Sequence, residues 1–387
     1  MDTTQTSEAR AGRLASAVIQ SVSLSVYTTL RRLLRLFKYF FRFLTGRFDG
    51  LDMAPVGAKR ALGLRRAKRT SLIETSALPS ATAVWKSCVS VNKKLGVWPI
   101  SFSYPQNSAP GHWESREFLC PIFPGHKYSF SDPQAYLAMY QRYSFAMTHK
   151  KSGWDCFRHV EVLHAGTIPY MPDAHLIPEF TMVHYPKTFL REIARHLNRS
   201  QGQLDSLVRH QLIDFFNENL TSAAMARYLL RVAGAEKETK VLFLDQLAPS
   251  HPDYQSVLTL IGLKQVLGRS VAVAHPIEYI YRDWQGDSTA LYGRGFGYSR
   301  VLNPAVKNPN EVEKSEIKLT EASLARFDMI VIGSVTRNAG LASQLLRIFP
   351  ASRTVWVHGE DQSPSHLQMN EYRNSGATVF VRELSTC

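Results

Sequence analysis

The chain has little cysteine. It contains four cysteines in 387 residues, and none forms a C-x-x-C pair or stands at metal-ligand spacing from a histidine. A disulfide framework or a structural zinc site needs closely paired cysteines. The sequence therefore predicts a reducing compartment and no bound metal. The cysteines are Cys88, Cys120, Cys156 and Cys387.

Acidic residues are scarce at the start of the chain. Residues 1–70 contain 14 Lys and Arg against 4 Asp and Glu, and so carry most of the net charge of +14. The rest is nearly balanced, which makes nucleic acid an unlikely partner of the folded part. With 44% hydrophobic residues, the chain is long and apolar enough for two domains.

Long hydrophobic runs are also missing. The uncharged stretch 14–30 includes Ser, Thr and Gln, and it is short and polar for a membrane-spanning helix. In the next segment, 31–44, four cations fall on one stripe about 60° wide at helical spacing, among Leu, Phe and Tyr. Residues 1–48 are therefore predicted to contain a basic amphipathic helix on an anionic membrane surface or, alternatively, docked on the protein's own body. The stripe consists of Arg31, Arg35, Lys38 and Arg42.

Residues 49–92 are predicted to form a flexible basic linker. Gly, Pro, Ser and Thr are frequent, and a second cluster of cations lies between Lys59 and Arg69. Such a cluster can contact anionic headgroups, or it can be a solvated run of charge.

Segment 150–170 reads Lys-Lys-Ser-Gly-Trp-Asp-Cys-Phe-Arg-His-Val-Glu-Val-Leu-His-Ala-Gly-Thr-Ile-Pro-Tyr. Residues 157–164 are predicted to be a helix that Gly166 ends. Inside it, Glu161 can accept two hydrogen bonds from a ribose diol, with Arg158 beside it. The alternative is a surface ion pair between these two residues.

The start of this segment suits an anion. Lys150 and Lys151 can neutralise a diphosphate, and the helix N-terminus adds N–H donors. Asp155 orients the segment or contacts the donor sugar, and the alternative is that it caps the helix. The combination predicts a nucleotide-sugar as co-substrate, without a further cofactor.

The second half, residues 237–387, alternates short apolar runs with helices. This rhythm predicts a parallel sheet with ligands at the carboxyl ends of its strands. The predicted strands are 241–244, 271–274, 329–332, 354–357 and 378–381.

Polar residues follow these strands. Glu360 and Asp361 come after the fourth strand, and either could act as a general base. Asp253 and His251 are rivals at another strand end. The glycine-rich loop 291–298 suits a loop that closes over a sugar, with Arg294 reaching the charge of the bound donor. The alternative is an ordinary turn.

The 150–170 segment resembles the donor-binding motif of exostosin-like glycosyltransferases, and residues 143–151, 178–182 and 185–187 carry further likeness. The resemblance implies the GT-B type of fold, with two Rossmann-like lobes facing a cleft: a donor lobe at 93–236 and an acceptor lobe at 237–387. Gly153 stands where many retaining enzymes carry a glutamate, so a retaining mechanism is not implied. The two lobes come in the reverse of the family's order. In the family, the segment that resembles 380–384 (Phe-Val-Arg-Glu-Leu) comes before the segment that resembles 99–105, whereas here it ends the second lobe. The chain is either circularly permuted or a unit of a tandem array.

Together these features predict an α/β glycosyltransferase that moves a sugar from a nucleotide-sugar to a glycan or lipid-linked acceptor. The expected place is the cytoplasmic, inner face of a membrane, with the basic helix as a peripheral anchor. The alternative is a non-catalytic protein of the same fold that binds glycan or membrane as a scaffold.

Overall fold

The computed structural model describes residues 47–48, 51–52, 78–108, 117–121, 130–196 and 206–385. The chain divides into two compact units, residues 1–70 with 195–201 and residues 71–194 with 202–387. In the first unit, β1 (Arg47–Phe48) and β2 (Leu51–Asp52) form an antiparallel pair. The predicted amphipathic helix and most of the predicted linker lie outside the described residues. The second unit is called the body below.

The body is built of helices and parallel strands. Its strands are β3 (Trp98–Pro99), β4 (Glu117–Cys120), β5 (Tyr143–Met147), β6 (Ile168–Tyr170), β7 (Val241–Leu244), β8 (Val271–Val273), β9 (Met329–Ile332), β10 (Thr354–His358) and β11 (Thr378–Val381). Its helices are α1 (Ala81–Leu95), α2 (Pro133–Gln141), α3 (Phe157–His164), α4 (Lys187–His196), α5 (Ser206–Asn219), α6 (Ser222–Val232), α7 (Tyr254–Leu267), α8 (Pro309–Val312), α9 (Glu321–Leu324), α10 (Ala339–Leu345) and α11 (His366–Asn374).

Six parallel strands form the larger sheet, in the order β3-β11-β10-β9-β7-β8. Strands β7, β9 and β10 are buried along their whole length, as expected when both faces of a parallel sheet are covered. The α/β class and the strands predicted in the second half are confirmed. This sheet and its helices are called the large lobe.

The strand order becomes regular when the second half of the chain is read first. Numbering β7 to β11 and then β3 as strands 1 to 6 gives the order 2-1-3-4-5-6. This is a doubly wound order, with its switch point between β7 and β9. Strand β3 pairs with Phe380 and Val381 of β11. Strand β3 ends at Pro99 and belongs to the large lobe.

Strands β4, β5 and β6 form a second parallel sheet, and α3 connects β5 to β6. Together with α2 they are called the small lobe. The apolar core under α2 contains Tyr136, Tyr140 and Val162, and Phe296 of the glycine-rich loop joins it. The predicted helix 157–164 is confirmed, and Gly166 follows it with φ +68°.

Helix α1 begins inside the range 49–92 predicted as linker and ends just beyond it. Ser80 Oγ accepts a hydrogen bond from the Ala83 N–H at 3.3 Å, which begins the helix. Its inner face buries Val84, Cys88 and Val91. Residues 81–92 therefore belong to the folded body, because these side chains occupy every third or fourth position of a helix.

Candidate functional site

The loop before α3 carries the cations of the predicted phosphate site. Both Lys150 and Lys151 are exposed. The Lys150 ammonium lies 5.4 Å from the centre of the Trp154 ring, and its backbone N–H donates to Asp173 Oδ2 at 3.2 Å. The backbone is thus fixed while both ammonium groups stay in solvent. Residues 149–156 are called the motif loop.

Helix α3 begins without a side-chain cap. Its N-cap residue is Cys156, which makes no capping hydrogen bond. The alternative prediction that Asp155 caps this helix is therefore wrong. The uncapped first turn leaves its N–H dipoles directed at the motif loop, where an anion would be stabilised.

Glu161 is buried in the small lobe. The Tyr136 hydroxyl donates to its Oε2 at 3.1 Å, and the side chain is 1% exposed. Burial raises the pKa of Glu161 to about 7, against the opposing charge of Arg158. A surface ion pair does not describe this glutamate, because its carboxyl group lies in the core among tyrosines.

Asp155 fixes the end of the motif loop to the segment after β3 and to the segment before α4. Its carboxylate accepts the Phe102 N–H at 3.1 Å and the Tyr185 hydroxyl at 3.2 Å. Burial raises its pKa to about 6, although the charge of Arg382 opposes the rise. Both oxygens are thus engaged inside the protein, so the structure assigns Asp155 a role in holding the motif loop.

Arg382, at the end of β11, connects the motif loop to the large sheet. Its guanidinium is 1% exposed and donates to the Asp155 carbonyl, to the Gly359 carbonyl at 2.8 Å and to Asp361 Oδ1 at 2.6 Å. It also lies 4.2 Å from the centre of the Phe102 ring. Sequence patterns did not point to this arginine, although it lies in the 380–384 segment that resembles the family.

Glu383 brings a second unpredicted group to the motif loop. Its Oε1 accepts the Asp155 N–H at 2.8 Å. A Cβ added to Gly153 would lie 2.5 Å from that same oxygen and 3.2 Å from the Asp361 carbonyl oxygen. Gly153 therefore permits close contact between the motif loop and the strand ends of the large lobe.

The predicted catalytic carboxylates lie at strand ends of the large lobe. Asp361 is paired with Arg382. Glu360 is exposed and accepts a hydrogen bond from the Thr336 hydroxyl at 2.5 Å. Asp253 caps α7 through the Ser256 N–H at 2.8 Å, and a Cβ at Gly359 would lie 3.8 Å from its Oδ1. The loops after β7 and β10 are therefore adjacent.

Asp245 is a buried carboxyl residue at the switch point. It follows β7 and accepts hydrogen bonds from Ser256 Oγ at 2.6 Å and Asn338 Nδ2 at 3.1 Å. The Arg337 guanidinium is 3.9 Å away and donates to the His251 carbonyl at 2.6 Å. Sequence reasoning missed Asp245, although a polar residue directly after a buried apolar strand was a signal for it.

The glycine-rich loop crosses to the small lobe. Gly293 and Arg294 both adopt left-handed backbone angles, with φ +57° and +59°. The Arg294 guanidinium donates to the Phe130 carbonyl at 2.6 Å, and Phe296 enters the small-lobe core. Arg294 thus holds the loop in place, whereas the sequence predicted that it reaches a charged ligand.

Aromatic rings fill the contact beside this loop. Phe157 of α3 stacks on Tyr254 of α7 with ring centres 4.3 Å apart, and Tyr254 meets Tyr292 edge-on at 5.6 Å. Tyr292 is 64% exposed. The N-terminus of α3 therefore contacts the N-terminus of α7, and the exposed ring of Tyr292 lies beside this contact.

Comparisons with known proteins do not identify a family: no family model, no curated protein and no solved structure matches the chain. Within the described ranges, no helix combines the length and apolar character needed to cross a membrane. In the same residues, no group of three or more His, Cys, Asp or Glu is placed to hold a metal ion.

Proposed function

We propose that the protein is a glycosyltransferase of the GT-B type, which moves a sugar from a nucleotide-sugar to a glycan or lipid-linked acceptor. The observation that supports this most is the meeting of the motif loop and the strand ends of the large sheet around Arg382. Ligands of doubly wound sheets bind outside the carboxyl ends of the strands. The exostosin-like resemblance of the motif segment is a second support.

In this proposal each lobe has a task. Glu161 hydrogen-bonds the ribose, and Lys150 and Lys151 face the diphosphate together with the N-terminus of α3. The carboxylates after β7 and β10 bind acceptor hydroxyls, since carboxylates accept hydrogen bonds from neutral polyols. Because Glu161 is buried, a nucleotide reaches it only when the packing around Tyr136 opens.

The N-terminal segment supplies the proposed location. A stripe of cations beside Leu, Phe and Tyr in 31–44 suits a helix lying on the anionic cytoplasmic face of a membrane. Such an anchor would hold the enzyme close to a lipid-linked acceptor. The acceptor class and the location are thus parts of one proposal.

A second candidate is a protein of this fold that binds sugar nucleotide or glycan without turnover. It is favoured because two of the predicted catalytic carboxylates already bond to other parts of the protein: Asp361 pairs with Arg382, and Asp253 caps α7. Release of nucleoside diphosphate from a bound donor distinguishes the two candidates. Only the transferase releases it.

The test is a thermal-shift screen of UDP, GDP and their common sugar conjugates. A true donor at 100 times its dissociation constant stabilises the folded state by about 2.7 kcal/mol. Calorimetry then compares wild type with Glu161→Gln, which keeps size and one acceptor oxygen. We expect about tenfold weaker nucleotide binding, because a charge-assisted hydrogen bond is lost.

Glu371→Gln is the matched control, because Glu371 is exposed on α11. It should bind nucleotide like wild type. If no nucleotide or nucleotide-sugar in the panel stabilises the protein, the donor site does not exist. If Glu161→Gln binds a stabilising nucleotide as tightly as wild type, Glu161 does not contact the ribose.

A further inference from the structure

Glu383 differs from the other carboxylates near the motif loop in how its oxygens are used. Oε1 accepts the Asp155 N–H, and the nearest cation, Arg382 Nη1, is 3.5 Å from the same oxygen. In the described part of the chain, Oε2 has no hydrogen-bond partner. By contrast, Asp155 uses both oxygens. Asp361 is bonded to Arg382 at 2.6 Å and is half exposed, whereas the Glu383 side chain is 5% exposed.

The position of Glu383 is set from two directions. It follows β11, the fifth strand of the doubly wound order, so its backbone is at the carboxyl edge of the large sheet. Its side chain extends to the motif loop, where Gly153 leaves the space that a side chain would fill. A carboxylate from the acceptor lobe therefore lies beside the loop that would hold the donor.

We propose that Glu383 is the general base of the transfer, a role that rests on the glycosyltransferase function proposed above. Its carboxylate takes the proton of the acceptor hydroxyl while that oxygen forms a bond to the anomeric carbon of the donor sugar. The bond from the anomeric carbon to the diphosphate oxygen breaks, and its electron pair leaves with the nucleoside diphosphate. Proton and charge balance, and no other reactant is required.

The surroundings give Glu383 the proton affinity that a base needs near neutral pH. Burial raises its pKa to about 7, and Arg382 opposes this rise while the charges of Asp155 and Asp361 add to it. A base is most effective when its pKa lies near the working pH. The rate should therefore fall as pH drops below about 7, because the carboxylate becomes protonated.

The test replaces Glu383 by glutamine. Glu383→Gln keeps an oxygen that can accept the Asp155 N–H, so the motif loop remains attached. With the nucleotide-sugar that binds best in the panel, and water or glycan as acceptor, release of nucleoside diphosphate should fall by about 100-fold or more. Calorimetric affinity for the nucleoside diphosphate should stay within about threefold, since a base does not hold the donor.

The pH profile separates a base from a structural group. Asp155 also titrates near this range, because burial raises its pKa to about 6. The fall in rate at low pH, the acid limb of the profile, is therefore assigned to Glu383 if it is lost in Glu383→Gln. Glu371→Gln is the control and should keep it. If Glu383→Gln retains the wild-type rate and limb, Glu383 is not the base, whereas the transferase function stands.

Two further outcomes complete the test. A wild type that releases no nucleoside diphosphate from any nucleotide-sugar overturns the transferase function, and the role of Glu383 with it. If Glu383→Gln does not fold, the wild-type profile decides instead. A rate that is constant between about pH 5.5 and 8.5 contradicts a base whose carboxylate is half protonated near pH 7.

Discussion

Replacing Arg382 by methionine should destabilise the body more than replacing any exposed arginine. Methionine fills a similar space but donates no hydrogen bond. The change leaves the buried carbonyls of Asp155 and Gly359 without their donor and removes the partner of Asp361. Removing one partner of a buried charge network costs about 3–5 kcal/mol.

The cost should depend on pH through Asp155. Arg382 lowers the pKa of this buried carboxyl group, which nevertheless stays raised at about 6. Without the arginine the folded-state pKa rises further, so ionised Asp155 destabilises the fold more strongly as pH rises above 6. Below that pH the carboxyl group is protonated in both proteins, and this part of the loss disappears.

Urea unfolding at pH 5 and pH 8, followed by tryptophan fluorescence, measures both effects. The comparison is valid where the slope against urea is unchanged. Arg326→Met is the control, because Arg326 is exposed and should change the free energy of unfolding by less than about 0.5 kcal/mol. An Arg382→Met protein within about 1 kcal/mol of wild type at both pH values would refute the reasoning.

Three other changes test separate parts of the molecule. Gly153→Ala should destabilise by about 1–3 kcal/mol in calorimetry, because its Cβ meets Glu383 Oε1 at 2.5 Å, whereas Gly340→Ala, with nothing within 4 Å, should not. Between pH 4.5 and 8, the free energy of unfolding of wild type should fall by about 3 kcal/mol relative to that of Glu161→Gln. The reason is that burial raises the Glu161 pKa to about 7, so that ionisation disfavours the folded state. A difference between the two proteins that stays constant with pH in urea unfolding would contradict this. Deleting residues 1–70 should abolish salt-sensitive binding to anionic vesicles in sedimentation, and equal binding of both forms would exclude the anchor.

The sequence predicted those parts of the fold that depend on local pattern. Strands β7, β9, β10 and β11 are short apolar runs between polar loops, and burial of both sheet faces makes each run nearly continuous. Strand β3 has two residues, Trp98 and Pro99, and exists because Phe380 and Val381 pair with it. No local sequence pattern can show a pairing strand that lies near the other end of the body's sequence. Helix α1 was missed for a different reason, because its polar residues resemble those of a linker.

The candidate site was predicted only in its two halves. The motif segment and the strand-end carboxylates were each visible as residue types at suggestive spacings. Their meeting depends on bonds such as the one from Glu383 to the Asp155 N–H, which joins residues 228 positions apart. Burial then decides which carboxylates are engaged in the structure, and so Asp155 turned out to be a structural anchor. Arg382 and Glu383 emerged only from that tertiary contact.

The strand order brings the two ends of the body together. In the large sheet β3 lies beside β11 as the sixth strand beside the fifth, although it comes first in the sequence. Leu384 is held by Thr181, whose hydroxyl donates to its carbonyl at 2.8 Å, and Arg373 of α11 donates to the Leu95 carbonyl at 2.8 Å. The end of the second half and the start of the first are therefore attached to each other without a covalent link. Since the sheet is held by pairing and burial, the register of β3 on β11 does not depend on how the chain connects the two strands.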